Sequence, residues 1–270
     1  MGARPGGDAD YDGDLGSFRI LNAVRDALGL VSALGHREVA LVAGHDFGAS
    51  VAAWCALVRP DVFRSVALMS APFAGPPPLR QSGPSGGDIH QELASLERPR
   101  KHYRWYYSTR PANDDMWLCP QGVHAFLRGY FHYKSADWSG NQPHPLQSWT
   151  AGELAKMPTY YIMDLDKNMA ETVMPVMPSA AEIAACQWLP DNELRVYSSE
   201  YERNGFQGGL QWYRARTQGL YESELQLFAG RTIDVPSMFI AGKSDWGTYQ
   251  RPGAFECMQQ PPAPACSAAT

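Results

Sequence analysis

The chain lacks the features that mark membrane, secreted and nucleic-acid-binding proteins. No apolar run reaches the roughly 18 residues needed to cross a bilayer, and the N-terminal stretch lacks the apolar core of a signal peptide. The net charge is −5 and the basic residues are scattered, so neither nucleic acid nor an anionic membrane is expected as a partner. The sequence therefore gives no sign of a membrane span, a signal peptide or a nucleic-acid-binding surface.

Cysteine pairs and cofactor motifs are also absent. The five cysteines are widely spaced and form no C-x-x-C pair, which favours reduced thiols in a cytoplasmic protein over a disulfide framework or a zinc site. The sequence has no H-E-x-x-H motif, no P-loop and no G-x-G-x-x-G motif. We therefore expect neither a metal nor a nucleotide cofactor.

The first quarter of the chain alternates helix and strand patterns. A helix capped by Ser17 and ended by Gly35 is followed by an apolar run at 38–43, which has the unbroken pattern of a strand buried on both faces. A second helix over 49–58 leads to a second apolar run at 64–69. Strand, helix and strand at this spacing predict a parallel βαβ unit.

The middle of the chain has a different composition and interrupts this pattern. Residues 71–232 open with the proline-rich stretch APFAGPPPL and continue in helical patterns rich in tyrosine and tryptophan. A third buried strand is predicted at 235–241. Because the strand pattern resumes after a helical block, we predict an α/β fold with a core formed by 1–70 and 233–270 and a helical lid at 71–232.

A charged residue stands at the predicted junction of the first strand and the second helix. The sequence there is Gly44-His45-Asp46-Phe47-Gly48, a small-x-nucleophile-x-small pattern typical of a nucleophile elbow. Such a turn holds the nucleophile in a strained backbone, needs small residues where backbones pass closely, and projects its side chain from the carboxyl edge of the sheet. A plain helix N-cap is the alternative interpretation of Asp46.

The segment GHDFGASVAAWCALVRPDVFRSVALMSAPF resembles the elbow region of α/β-hydrolases of the epoxide hydrolase family, close to the soluble type of fungi and bacteria. The resemblance runs from about Asp10 to Gln259. It implies that Asp46 forms an ester with the substrate and that the backbone N–H of Phe47 is one donor of the oxyanion hole. It also implies that His45 belongs to the elbow motif and is not a base.

The resemblance assigns further site residues in the lid and after it. HYRWYYS resembles the motif of the first lid tyrosine and places it at Tyr106, with Tyr103 and Tyr107 as rivals, and NGFQGGLQWYR places the second at Tyr213. In the family, two such phenols hold the epoxide oxygen. IAGKSDW places the acid that orients a catalytic histidine at Asp245. Packed core tyrosines and a turn aspartate are the alternative interpretations.

The family's catalytic histidine has no counterpart in this sequence. The last histidine, His144, precedes Asp245 and lies in the predicted lid, and no His-Gly-x-Pro segment precedes Ala9. The resemblance therefore implies an incomplete α/β-hydrolase fold, shortened at both ends, with a hydrophobic sheet edge exposed.

The expected function is the opening of a small apolar epoxide to a diol through an alkyl-enzyme ester on Asp46, with ester hydrolysis impaired by the missing histidine. One alternative is a non-catalytic relative that binds an apolar ligand or, through its exposed edge, another chain, including a second copy in a homodimer. Another alternative is haloalkane dehalogenation by the same aspartate, although the Phe47 side chain cannot donate a hydrogen bond to a halide.

Overall fold

The computed structural model describes residues 10–79 and 88–259. Its α-helices are α1 (Ile20–Ala33), α2 (Phe47–Val58), α3 (Ile89–Ala94), α4 (Tyr103–Tyr107), α5 (Ala112–Trp117), α6 (Gly122–Lys134), α7 (Ala151–Leu154), α8 (Met169–Val173), α9 (Ala180–Ala185), α10 (Asp191–Asn204), α11 (Gln207–Thr217), α12 (Glu222–Gln226) and α13 (Ala254–Met258). Its strands are β1 (Val42–His45), β2 (Val66–Met69), β3 (Arg100–His102), β4 (Ile162–Asp164) and β5 (Ser237–Ile240). Short 3-10 helices cover Leu15–Phe18, Met174–Val176 and Trp246–Thr248.

The described residues form two compact units. The helical unit consists of residues 10–15, 88–142 and 150–218. The sheet unit consists of residues 16–79, 143–149 and 219–259. The predicted lid, residues 71–232, begins and ends at other positions than the helical unit, and it includes residues 143–149, which belong to the sheet unit. The lid at 71–232 stays a prediction.

The sheet unit is built on a parallel sheet with the strand order β1–β2–β5. Val42 pairs with Val66, and Val66 pairs with Ser237, in two parallel ladders. The parallel arrangement predicted from the strand and helix spacing is confirmed. Because all strands run the same way, the residues that follow them lie along one edge of the sheet, where open α/β folds bind ligands.

The two outer strands differ from their predictions. β1 begins at Val42, because the first half of the predicted strand makes only an isolated bridge between Val39 and Phe63. Alternate residues of β1 and most residues of β5 are exposed, whereas β2 is buried. In the described part of the chain β1 and β5 each have one neighbouring strand. The burial expected of all these strands therefore holds for β2 alone.

Small residues let α2 lie close against the sheet. Its buried alanines belong to one apolar cluster with Val66 and Leu68 of β2, and its larger Trp54 packs with Val24 and Val31 of α1. This packing supports an α2 that begins directly after Asp46, two residues earlier than predicted.

The start of α1 also differs from its prediction, and its end agrees. Ser17 lies within the 3-10 helix Leu15–Phe18 and does not cap α1, whose N-cap is Arg19 without a side-chain hydrogen bond. Gly35 has a φ of 78°, which is the left-handed conformation that a terminating glycine supplies.

The helical unit contains a short antiparallel strand pair. Arg100 in β3 pairs with Asp164 in β4, and His102 pairs with Ile162, so the predicted helical lid also contains two strands of three residues each. Arg98 donates to the Asp164 carboxylate at 2.8 Å. This hydrogen bond is the largest cause that holds the pKa of Asp164 below its usual value.

The cysteines follow their prediction only in part. Cys55, Cys119 and Cys186 are free thiols. Cys257 is disulfide-bonded, so the expectation of reduced cysteines throughout the chain is wrong there. Cys266 lies outside the described residues.

Among the described residues, no helix is both long enough and apolar enough to cross a membrane. Those residues also hold no group of three or more histidines, cysteines and carboxylates placed to bind a metal ion. The expectation of a site without a cofactor stays a prediction.

Candidate active site

Asp46 lies at the carboxyl end of β1 in a strained backbone conformation. Its φ is 55° and its ψ is −118°, a region that residues other than glycine seldom adopt. Asp46 is the N-cap residue of α2, yet its side chain makes no capping hydrogen bond. The N-cap interpretation therefore does not explain the carboxylate. Strain at a residue whose side chain does not serve the helix is typical of a functional site.

A close backbone contact accompanies this strain. A Cβ atom on Gly44 would lie 1.9 Å from the carbonyl oxygen of Gly48 and 2.3 Å from its carbonyl carbon, so only glycine fits at position 44. A Cβ atom on Gly48 would meet nothing within 4 Å outside its own helix and chain neighbours. The small-x-nucleophile-x-small pattern predicts a need for a small residue at both positions. In the structure, Gly44 must lack a side chain, whereas Gly48 contributes the backbone that Gly44 approaches.

A second strained residue, Ser70, follows β2 at the same edge. Ser70 is buried and has a φ of 69°. The backbone N–H of Asp46 donates to the carbonyl of Met69 at 3.1 Å, and the N–H of Ser70 donates to the carbonyl of Ile240 at 2.9 Å. The turns after β1 and β2 are thus each tied to the end of the neighbouring strand. Sequence reasoning missed Ser70, whose only signal is a Ser-Ala-Pro turn directly after an apolar run.

Asp245 follows β5 and begins the 3-10 helix Trp246–Thr248. Its Oδ1 accepts a hydrogen bond from the N–H of Gly247 at 2.7 Å, and Thr248 Oγ1 donates to the carbonyl of Ser70 at 3.3 Å. A Cβ atom on Gly247 would lie 2.3 Å from Ser70 Oγ, so this loop packs closely on the turn after β2. A turn aspartate would make the same capping bond, and the orienting role of Asp245 stays a prediction.

His144 belongs to the sheet unit, not to the helical part in which the sequence placed it. Its ring lies 4.9 Å from the ring of buried Trp246, edge to face. Trp246 directly follows Asp245, so an imidazole lies near the loop that carries the predicted acid. No sequence pattern indicates this contact, because the surrounding stretch NQPHPLQSW has the composition of a polar loop. His45, the elbow histidine, is exposed at the end of β1.

Tyr213 lies on α11 within a cluster of aromatic rings in the helical unit. Its ring centroid is 5.0 Å from that of Tyr107 and 5.8 Å from that of Tyr103, both edge to face. The hydroxyl of Tyr107 donates to the hydroxyl oxygen of Tyr130 at 3.4 Å, and burial raises the pKa of Tyr107. Tyr103 Oη instead accepts a hydrogen bond, from Arg104 Nε at 3.4 Å. Both rivals of Tyr106 therefore contact Tyr213.

Tyr106 is buried on the same short helix, α4, but its hydroxyl has another partner. It donates to Asp115 Oδ2 at 2.9 Å, and Lys101 lies over its ring, 5.2 Å from the centroid. Burial is the largest cause that raises the pKa of Tyr106 far above its usual value. A phenol that already donates to a carboxylate is poorly placed to donate to a substrate. The role of Tyr106 as the first lid tyrosine stays a prediction, with Tyr103 and Tyr107 as its rivals.

Buried polar side chains fix the helix that carries Tyr213. Gln207 Nε2 and Arg214 Nη1 both donate to Gln211 Oε1, at 3.1 and 2.8 Å. Gln211 Nε2 donates to the carbonyl of Asp10 at 2.6 Å, and the Arg214 guanidinium lies 3.7 Å from the centroid of the Tyr11 ring. Helix α11 is therefore held to residues 10–15 of the same unit. Sequence reasoning missed this anchoring, since polar residues at these spacings also suit a solvated face.

The residues at the sheet edge suit nucleophilic chemistry. Helix α2 begins directly after Asp46. The positive end of its dipole favours an ionised carboxylate at that position. Phe47 is the first residue of α2, and its role as an oxyanion donor stays a prediction.

Comparison with known proteins gives this geometry a context. No family model matches the chain. It is 28% identical over 244 residues to an epoxide hydrolase of Caballeronia sordidicola, over 88% of this chain and 61% of the relative. It is 31% identical over 229 residues to epoxide hydrolase A of Mycobacterium tuberculosis, over 85% and 61%. The solved structure of an epoxide hydrolase from an endophytic Streptomyces matches with a TM-score of 0.65 at 26% identity, over 95% of this chain and 64% of that one.

This chain has an α/β-hydrolase fold and is similar to epoxide hydrolases. It spans 61% of the length of each of these two curated relatives. The predicted resemblance to epoxide hydrolases and the predicted α/β-hydrolase fold are both confirmed. The roles of Asp46, Asp245 and the tyrosines stay predictions.

Proposed function

We propose that this α/β-hydrolase opens epoxides by attack of the Asp46 carboxylate on an epoxide carbon. The observation that carries the proposal is the positive φ of Asp46 at the end of β1, with a side chain that does not cap α2. As the ester bond to Asp46 forms, the carbon–oxygen bond of the epoxide breaks and leaves an alkoxide that takes up a proton. The names of the relatives support an epoxide as the substrate class.

In this proposal the proton donors are Tyr213 and Tyr103. The contact of their rings supports the pairing, and the bond from Tyr106 to Asp115 argues against Tyr106. Two phenols that donate to one oxygen stabilise the alkoxide and protonate it. Such donors favour an epoxide over a haloalkane, because a departing halide needs no proton. Release of a diol then requires attack of water on the ester carbonyl, with the N–H of Phe47 as one oxyanion donor.

The proposal predicts a covalent adduct with an aryl epoxide. Intact-mass spectrometry should show the chain gaining the mass of one epoxide, and peptide mapping should place it on Asp46. Asp46→Asn keeps the side-chain size and tolerates a positive φ, but it lacks the carboxylate and should form no adduct.

Glu38→Gln is the matched control, because Glu38 is an exposed carboxylate shortly before the same strand. This variant should react like the unchanged chain. A folded sample that forms no adduct on Asp46 would contradict the proposal and favour a non-catalytic relative that binds a ligand or another chain.

Phenylalanine substitutions separate the roles of the tyrosines. Tyr103→Phe and Tyr213→Phe should each slow adduct formation by about 10²-fold, because each removes a proton donor. Tyr106→Phe should leave the rate near that of the unchanged chain and lower the free energy of unfolding by about 1 kcal/mol, through loss of its bond to Asp115. Mass-based kinetics and urea unfolding measure the two effects. Slow adduct formation in Tyr106→Phe, with an unchanged rate in Tyr103→Phe, would instead support Tyr106 as the first lid tyrosine.

A further inference from the structure

An open depression in the helical unit brings a partly exposed thiol beside a buried cation. Cys186 and Arg128 both line it, next to Phe131 and Trp188. Arg128 Nη1 lies 4.0 Å from Cys186 Sγ. Arg128 is only 5% exposed, whereas Cys186 is accessible in part.

Arg128 has fewer hydrogen bonds than a buried guanidinium requires. Its Nη1 donates to the carbonyl of Leu189 at 2.7 Å, but Nε and Nη2 are buried with no hydrogen-bond partner among the described residues. Nη2 forms an ion pair with Asp191 Oδ1 at 3.5 Å, without a hydrogen bond. Buried donors without an acceptor destabilise a fold. An acceptor placed near Cys186 would relieve this.

The neighbouring carboxylates accept their hydrogen bonds from other donors. The pairs are Trp188 Nε1 with Asp137 at 2.7 Å, the N–H of Ser179 with Glu182 at 2.7 Å, and His124 Nε2 with Asp191 at 2.8 Å. An oxygen atom attached to Cys186 Sγ would lie beside the Arg128 guanidinium, whose Nη1 is 4.0 Å from that sulfur.

We propose that Cys186 is a modification site, oxidised by hydrogen peroxide to a sulfenic acid that Arg128 stabilises. The sulfur attacks one peroxide oxygen, a sulfur–oxygen bond forms and the oxygen–oxygen bond breaks. The departing hydroxide takes up the thiol proton as water, so the sulfur is oxidised and the peroxide is reduced. The new oxygen then accepts N–H groups of the Arg128 guanidinium.

The other free thiols provide internal comparisons. Cys55 and Cys119 are buried, and burial raises the pKa of Cys55 to about 12 and also raises that of Cys119. Thiols of this kind are poor nucleophiles at neutral pH. Cys186 is therefore expected to react first.

The test uses hydrogen peroxide with dimedone, a diketone that tags sulfenic acids, followed by peptide mapping of the folded chain. Cys186 should carry at least about tenfold more tag than Cys55 or Cys119. In Arg128→Gln the tag on Cys186 should fall about tenfold, the effect of one hydrogen bond to a charged group. Arg195→Gln is the matched control, because Arg195 is an exposed cation 3.8 Å from Asp191, and it should leave the tagging unchanged.

Two results would overturn the proposal: equal tagging of Cys186 and Cys119, or unchanged tagging of Cys186 in a folded Arg128→Gln variant. Circular dichroism establishes whether that variant is folded. If it does not fold, the ranking of the three thiols in the unchanged chain decides. None of these outcomes depends on epoxide chemistry, so this proposal and the proposed function can fail separately.

Discussion

The 270-residue chain is expected to hold its ester intermediate: an adduct with an aryl epoxide should form on Asp46 and persist, with little or no diol released. Ester formation needs an ionised carboxylate and a proton donor, whereas ester hydrolysis needs a base that activates water. No histidine follows Asp245 in the sequence. A general base contributes about 10²–10⁴-fold to its step, so hydrolysis should be slowed by about that factor. Time courses of intact mass and of diol by chromatography measure the two steps separately.

His144 is the first candidate for a substitute general base, because its ring contacts Trp246, the residue next to Asp245. Steady release of diol over many turnovers would show that a base is present. His144→Gln would then identify it, if turnover stops while the adduct still forms. His36→Gln is the matched control, because His36 is an exposed histidine of the same unit. Turnover unchanged in both variants would mean that the base is not one of these two histidines.

Replacing Gly44 by alanine should destabilise the sheet unit more than any other glycine substitution at the elbow. The new Cβ atom would lie 1.9 Å from the carbonyl oxygen of Gly48 and 2.8 Å from the backbone nitrogen of Ala49. Backbone atoms at the start of a buried helix cannot move aside as a flexible side chain can. We expect a loss of about 3 kcal/mol, the upper part of the usual range for overpacking. Urea unfolding followed by circular dichroism measures it.

Two alanine substitutions serve as controls for Gly44→Ala. Gly48→Ala lies in the same motif, and Gly29→Ala lies on the exposed side of α1; a Cβ atom at either position meets nothing within 4 Å outside its own helix and chain neighbours. Both should be neutral or stabilising by up to about 1 kcal/mol, because alanine favours a helix over glycine. Equal unfolding midpoints for Gly44→Ala and Gly48→Ala would show that the backbone relaxes around the added atom.

The parallel strands and the turn at Asp46 could be predicted because their signals are local. An apolar run, a glycine and an alanine-rich helix are adjacent in sequence, and their order alone determines that Asp46 stands at the end of β1. Burial of the outer strands could not be predicted in the same way. An apolar run predicts a strand, but the exposure of that strand depends on how many other strands lie beside it.

The surroundings of Tyr106 and of His144 depend on contacts between distant residues. Tyr103, Tyr106 and Tyr107 share one short helix at spacings that put them on similar faces. What separates them is that Asp115, on another helix, accepts the hydroxyl of Tyr106. His144 likewise gains its position from Trp246, which is remote in sequence. Composition and periodicity carry no information about such partners.

The pairing of β2 with β5 also bears on how this protein acquires its structure during synthesis. Most of the helical unit is encoded between these two strands, so one side of β2 has to stay without its partner until the ribosome has made β5. Closing so long a loop carries an entropic penalty that slows strand pairing. The turn after β2, where Ser70 bonds to Ile240, should reach its final shape late in folding. The helix that carries Tyr213 is complete in the nascent chain before then.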